Sequence, residues 1–153
     1  MDSIEFVELV KEIVNKARIL KDSHTQETEA KVSYAAIFSQ SANEYEELIG
    51  TAMRLGKVID NTPTGPLFLV DPIKTDAGTI KIIKIRKPDA SRRELGDADF
   101  NVSDYQSFKD RCLQQPGFKL IVRPKFEMIE LAAKESDVLA YFSNPPVDKQ
   151  YHI

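Results

Sequence analysis

The sequence predicts an α+β fold of two βαβββ modules whose curved, mostly antiparallel sheets form a cup, with an added N-terminal helix. Three observations carry this. Apolar residues recur at helical spacing over 3–21. A strand, a capped helix and three further strands then follow one another up to Pro88. The same order returns after a polar break at 87–96.

The opening helix places Ile4, Val7, Leu9, Val10, Ile13, Val14, Ala17 and Leu20 along one stripe, and Asp2 with Glu5 has the spacing of a capping box. Residues 22–30 are polar and read as a linker. Over 31–39, Val32, Tyr34, Ala36 and Phe38 alternate with Ser33, Ala35, Ile37 and Ser39, which gives a strand. Ser41 and Glu44 form a second capping box. The helix behind them buries Tyr45, Leu48, Ile49, Ala52 and Met53, and Gly56 stands where a left-handed cap residue is expected. A short strand at 57–61 runs into the turn Thr62–Pro66, whose two prolines rule out a phosphate-cradling loop. Strands Leu67–Val70 and Ile80–Arg86 close the first module, 30–88.

The second module, 96–146, begins with a strand at 97–102. Ser103 and Gln106 are the third capping-box pair, with Tyr105, Phe108, Cys112 and Leu113 on one face of the helix. Pro116-Gly117 ends it. Strands follow at 118–123, 126–132 and 137–143, closed by Asn144-Pro145-Pro146, and the tail 147–153 is expected to be loose. A shift of 60 residues lays Tyr45 on Tyr105, Leu48 on Phe108, Ala52 on Cys112 and Met53 on Leu113.

Composition narrows the function classes. The chain of 153 residues suits a single domain, and its 42% hydrophobic content is enough for a core. With 21 Lys+Arg against 24 Asp+Glu, the chain lacks the basic excess of a dedicated nucleic-acid binder. One cysteine and two histidines exclude an internal disulfide and a Cys/His zinc site and fit a reducing, cytoplasmic setting. No apolar run reaches the length of a membrane span, and the start does not read as a signal peptide.

The repeated strand–helix–strand–strand–strand order resembles the vicinal oxygen chelate superfamily, which includes glyoxalase I, extradiol dioxygenases and bleomycin-resistance proteins. The resemblance covers roughly 30–146, with residues 1–22 as the added helix. It implies a cup formed by two half-barrels. In the metal-dependent members it implies a His on the first strand of each module and a Glu on the fourth. This chain offers Ser33 and Tyr34, then Lys84 and Arg86, in module one. In module two it offers Asp97 and Asp99, then Tyr141 and Ser143. The resemblance thus implies the cup, while the residues argue against its usual metal chemistry.

Within the cup the expected ligand-binding residues are Lys84, Arg86, Asp97, Asp99 and Tyr34. On strand 80–86, Lys84 and Arg86 share a face with Ile82, and Asp97 and Asp99 share a face of theirs. The cations are expected to meet the aspartates across the cup, and Arg suits a carboxylate or phosphate ligand. The first expectation is therefore a small-molecule-binding protein for an anionic metabolite, with no cofactor, no metal, no nucleic-acid partner, no membrane and a homodimer as the only protein partner. Two alternatives stand beside it. One is a structural or interaction protein that docks a partner through the N-terminal helix. The other is a divalent-metal enzyme using Asp97, Asp99 and Glu130, with Glu127 as a further candidate carboxylate, since Asp-x-Asp offers oxygen ligands. Whether the protein is an enzyme stays open. His24 and His152 lack partners by pattern and read as surface residues. Cys112 reads as a small buried hydrophobe.

Overall fold

The computed structural model describes residues 1–153. Helix α1 spans Ser3–His24, followed by β1 (Lys31–Phe38), α2 (Ala42–Leu55), β2 (Gly56–Thr62), β3 (Gly65–Thr75) and β4 (Gly78–Arg86). The second half runs β5 (Gly96–Asn101), α3 (Tyr105–Cys112), β6 (Phe118–Val122), β7 (Glu127–Leu131), β8 (Val138–Asn144) and a short α4 (Val147–Gln150). The strands form one curved, unclosed sheet of order β2-β3-β4-β1-β5-β8-β7-β6. Read from either edge the order is the same: second, third, fourth, first strand of a module. Each module pairs its first and fourth strands in parallel and the rest antiparallel, and the halves meet at the antiparallel pair β1–β5.

One face of this sheet carries the main core. Val32, Ala35 and Ile37 of β1, Ile83 and Ile85 of β4, Ala98 and Phe100 of β5, and Ala140 and Phe142 of β8 all face the helices. Helix α1 lies across the middle of this face, with Phe6, Val10, Ile13, Val14 and Ala17 completely shielded. Most of its apolar stripe is therefore covered by the chain's own sheet, while Ile4 stays exposed. The 60-residue repeat is visible here: Leu48 and Phe108 are buried at matching helical positions, as are Ala52 and Cys112. Met53 departs from it, being 56% exposed.

Local signals act mostly as expected. Asp2 accepts from the Glu5 N–H at 2.8 Å, and Ser41 accepts from the Glu44 N–H at 3.1 Å. The third cap falls one residue later than predicted: Asp104, not Ser103, accepts from the Ser107 N–H at 3.1 Å, and α3 is correspondingly short. Gly56 is not left-handed, since its φ is −174°. It is required for close approach instead, because a Cβ there would stand 1.9 Å from the Leu69 carbonyl oxygen. Helix α1 runs on to His24, past Lys21, which is fully buried. Its ammonium donates to Asp22 Oδ1 and to the Glu27 carbonyl, both at 2.6 Å, and stands 5.1 Å from the Phe100 ring centroid. His24 meets Glu135 Oε1 at 3.1 Å, a partner 111 residues away that sequence proximity could not supply. No helix is long and apolar enough to cross a membrane.

The tail is ordered, contrary to expectation. Val147 packs on Leu67 and Ile82, and the Tyr151 hydroxyl donates to Asp60 Oδ2 at 2.5 Å. These contacts lie on the sheet face opposite α1, α2 and α3, so the tail covers part of the concave side.

If α1 is integral to the core, Ile13→Ala should cost about 2–5 kcal/mol, the usual range for a buried large-to-small change. Ile19→Ala, on the exposed side of the same helix, should stay within about 0.5 kcal/mol of the parent. Urea denaturation of both variants checks this, and equal midpoints would show that α1 is an appendage.

Candidate functional site

Strand alternation decides what reaches the concave face. On β5, Ala98 and Phe100 enter the core, so Asp97 and Asp99 must point the other way. On β4, Ile83 and Ile85 enter the core, which leaves Ile82, Lys84 and Arg86 on the concave side. Tyr34, Ala36 and Phe38 of β1 and Leu139 and Tyr141 of β8 share that side. The five residues expected to bind a ligand therefore lie on one face of three adjacent strands. The register aligns them further: Ala36 pairs with Lys84 on one side and with Asp97 on the other. Lys84, Ala36 and Asp97 thus form a row across the sheet, with Tyr34 and Phe38 flanking its alanine along β1.

The expected ion pairs across this row do not form. Lys84 Nζ donates to Thr64 Oγ1 at 2.5 Å, in the β2–β3 turn. Arg86 pairs with Asp89 at 3.5 Å and lies 5.0 Å from the Phe38 ring centroid. A separation of two strands, roughly 9–10 Å between backbones, leaves the charges beyond contact distance. Burial lowers the Lys84 pKa, against a raising influence from Asp97.

The two aspartates differ sharply. Asp99 is satisfied: it accepts from the Ser143 N–H at 3.2 Å and closely from the Ser143 hydroxyl. Burial nevertheless raises its pKa to about 7, with both Ser143 bonds pulling the other way. Asp97 is 5% exposed, and its Oδ1 has no hydrogen-bond partner. Burial, then the charge of Asp99, push its pKa up to about 8, while Lys84 and Arg86 oppose the rise. Tyr34 beside them is raised by burial and then by both aspartates. Glu130 is held elsewhere, accepting from the Tyr141 hydroxyl at 2.6 Å and standing 3.6 Å from Arg92. Glu127 is likewise engaged, by Tyr105 and Lys109, both at 2.8 Å. Cys112 is buried on the far side of the sheet, and burial pushes its thiol up to about 11, which favours the protonated thiol.

Two parts of the site escaped the sequence reading. Thr64 reaches Lys84 only because the β2–β3 turn folds back. The tail was readable in principle, since Val147 and Tyr151 stand four apart directly after two prolines, the spacing of one helical turn.

Among solved structures, the chain is similar to a structural-genomics protein described as EC4020, at 11% identity and a TM-score of 0.64 over 97% of this chain and 86% of that one. It is also similar to a glyoxalase/bleomycin resistance protein/dioxygenase superfamily member from Vibrio splendidus 12B01, at 9% identity and a TM-score of 0.44 over 74% of this chain and 97% of that one. Methylmalonyl-CoA epimerase from Mycobacterium tuberculosis is another, at 14% identity and a TM-score of 0.41 over 74% of this chain and 86% of that one. No family model matches the sequence, and no curated protein matches it significantly. The strand order decides the architecture: two βαβββ units joined through their first strands, with mirror-ordered halves. The chain has the glyoxalase-like, vicinal oxygen chelate fold.

In a glyoxalase-like cup the resemblance implies metal ligands on the first and fourth strands of each module. At those places this chain sets the cations Lys84 and Arg86, the hydroxyls of Tyr34, Tyr141 and Ser143, and two carboxylates of which one is already bonded to Ser143. No three His, Cys, Asp or Glu side chains converge on a common point. In the alternative set Asp97, Asp99 and Glu130, Tyr141 lies in register between Asp99 and Glu130 and engages the latter. The residues present do not fit a divalent ion, which two neighbouring cations would repel.

The raised aspartates have a stability consequence. An acid whose folded pKa exceeds its unfolded value binds its proton more tightly when folded, so stability is full at low pH and falls as pH rises through the folded value. Between about pH 4 and pH 8 the Asp97 contribution should decline. Asp97→Asn should show a shallower decline in unfolding free energy over that window than the parent, measured by denaturant titration at several pH values. Identical slopes would show that Asp97 is ionised in the folded protein.

Proposed function

We propose that the protein binds a small anionic molecule on the concave face of its sheet, with Lys84 and Arg86 as the anion-binding pair and Tyr34, Asp97 and Asp99 as the floor. What supports this most directly is that Lys84 and Arg86 stand partly buried on the concave side of the sheet and that neither makes an ion pair with Asp97 or Asp99 on the strand beyond β1. Thr64 gives Lys84 a neutral partner, and Arg86 has one carboxylate at the rim. Partly buried cations attract an anion more strongly than the same cations in open water. The tail segment on Leu67 and Ile82 then has a simple role as a cover that moves aside when the ligand enters.

A thermal-shift screen over small anionic metabolites tests this reading. Arg86→Ala should weaken binding of any hit by about 1.5–3 kcal/mol, the range for a hydrogen bond to a charged group. Lys84→Ala should weaken it less, because Arg loses a bidentate contact and Lys a point charge. Both variants should remain folded by circular dichroism. An anion whose binding ignores both substitutions places its site elsewhere.

A further inference from the structure

Asp97 is the one carboxyl in the cup that nothing satisfies. It is 5% exposed, its Oδ1 lacks any partner, and a second carboxyl stands two residues away on the same strand face. A buried carboxylate with no donor and a like charge beside it is strongly disfavoured, so the group is most stable with its proton on. Asp99 escapes this through its two bonds from Ser143. The groups that face Asp97 are Asp99 on its own strand, Lys84 and Arg86 on β4, Tyr34 on β1, Tyr141 on β8 and Glu130 on β7, while the tail brings Asp148 toward Asp99. None of them donates to the free Oδ1. In the row Lys84–Ala36–Asp97, the middle residue is an alanine, whose own side chain is too short to reach either the ammonium or the carboxyl.

We propose that Asp97 is held as an uncharged carboxylic acid and that its free oxygen carries the proton offered to the ligand's acid group, making the ligand a small carboxylate bound between Lys84 and Asp97. This rests on the reading of the concave face as an anion site and adds the group that completes it. A neutral acid donating to a carboxylate oxygen forms a short, charge-assisted hydrogen bond, whereas an ionised Asp97 repels the same oxygen. The ligand therefore binds with Asp97 protonated and is released as that proton leaves, which occurs near pH 8.

Two measurements test it on the full chain. The first needs no ligand. The infrared spectrum at pH 6.5 should contain a protonated-carboxyl band that Asp97→Asn diminishes. A spectrum unchanged by that substitution overturns the proposal. The second titrates pyruvate, succinate and 2-oxoglutarate into the protein at pH 7 and pH 9. For a proton that leaves near pH 8, the affinity of the parent for whichever of them binds should fall about tenfold across this range. In Asp97→Asn the fall should be at least about threefold smaller. A fall that persists undiminished in Asp97→Asn belongs to Lys84 losing its own proton and overturns the proposal. If binding depends on Arg86 but is equal at both pH values in the parent, the anion site stands and the role of Asp97 fails. If none of the three carboxylates binds while phosphate or sulfate does, the anion site again stands and the carboxylate assignment fails. If no anion binds at all, both fail together.

Discussion

The antiparallel pairing of β1 with β5 is the contact on which the remainder of this molecule depends. It joins two half-sheets that would otherwise each expose a long strand edge, a feature that invites uncontrolled pairing. Its chemistry is written in small residues. Gly96 faces Ile37 in the register, and a Cβ on it would stand 2.2 Å from the Ala36 carbonyl oxygen and 2.9 Å from an Ile13 methyl carbon. Glycine at this point lets the two central strands close up and lets α1 settle on the seam in the same place. Ala35 opposite Ala98 keeps the helix-facing side of the seam shallow, so Val10, Ile13, Val14 and Ala17 can lie across it.

The same register that closes the core also sets the chemistry on the other side. Because side chains alternate with a period of two, fixing Ala35 and Ala98 toward α1 forces Ala36, Asp97 and Asp99 toward the concave face. A slip of one residue would turn Asp97 and Asp99 into the apolar layer beneath α1, a far greater penalty than leaving them in the cup. The core thus enforces the burial of these aspartates in the cup. Ser143 on β8 offsets part of that cost for Asp99, and no group does so for Asp97. Residues that carry an uncompensated cost inside a well-determined frame are where function concentrates.

The legible and illegible parts of the fold divide along physical lines. The alternation in β4 and β5 and the stripe in α1 were readable because one face of each is buried in a continuous core, and burial is what periodicity records; in β1 a bulge between Val32 and Tyr34 breaks the expected alternation and puts Val32 in the core with Ala35 and Ile37. The same reasoning put Lys84 and Arg86 on one face and Asp97 and Asp99 on one face, as observed. Partners were not readable. That Arg86 turns to Asp89 and Phe38, and Lys84 to Thr64, depends on side-chain reach and turn geometry that no spacing encodes. Gly56 shows a subtler failure: a glycine after a helix is ordinarily explained by its left-handed conformation, yet here it is explained by the carbonyl of Leu69 in the next strand. Asp104 displaced Ser103 as the cap for a local reason, since both are good caps and one residue of register decides between them.

A cup built for a metal concentrates negative charge and soft donors at its centre, so that the ion is the strongest local charge and organises the ligand around itself. Here that polarity is reversed. Two cations stand on the closing strand of the first module, and facing them are a carboxyl satisfied by a serine and a carboxyl left without a partner. In this arrangement fixed positive charge stands on the protein itself, which is the feature the proposed anion site uses. The architecture is set by strand order and by small residues at the seam. The charge is free to differ because it is set by alternate residues that the core never touches.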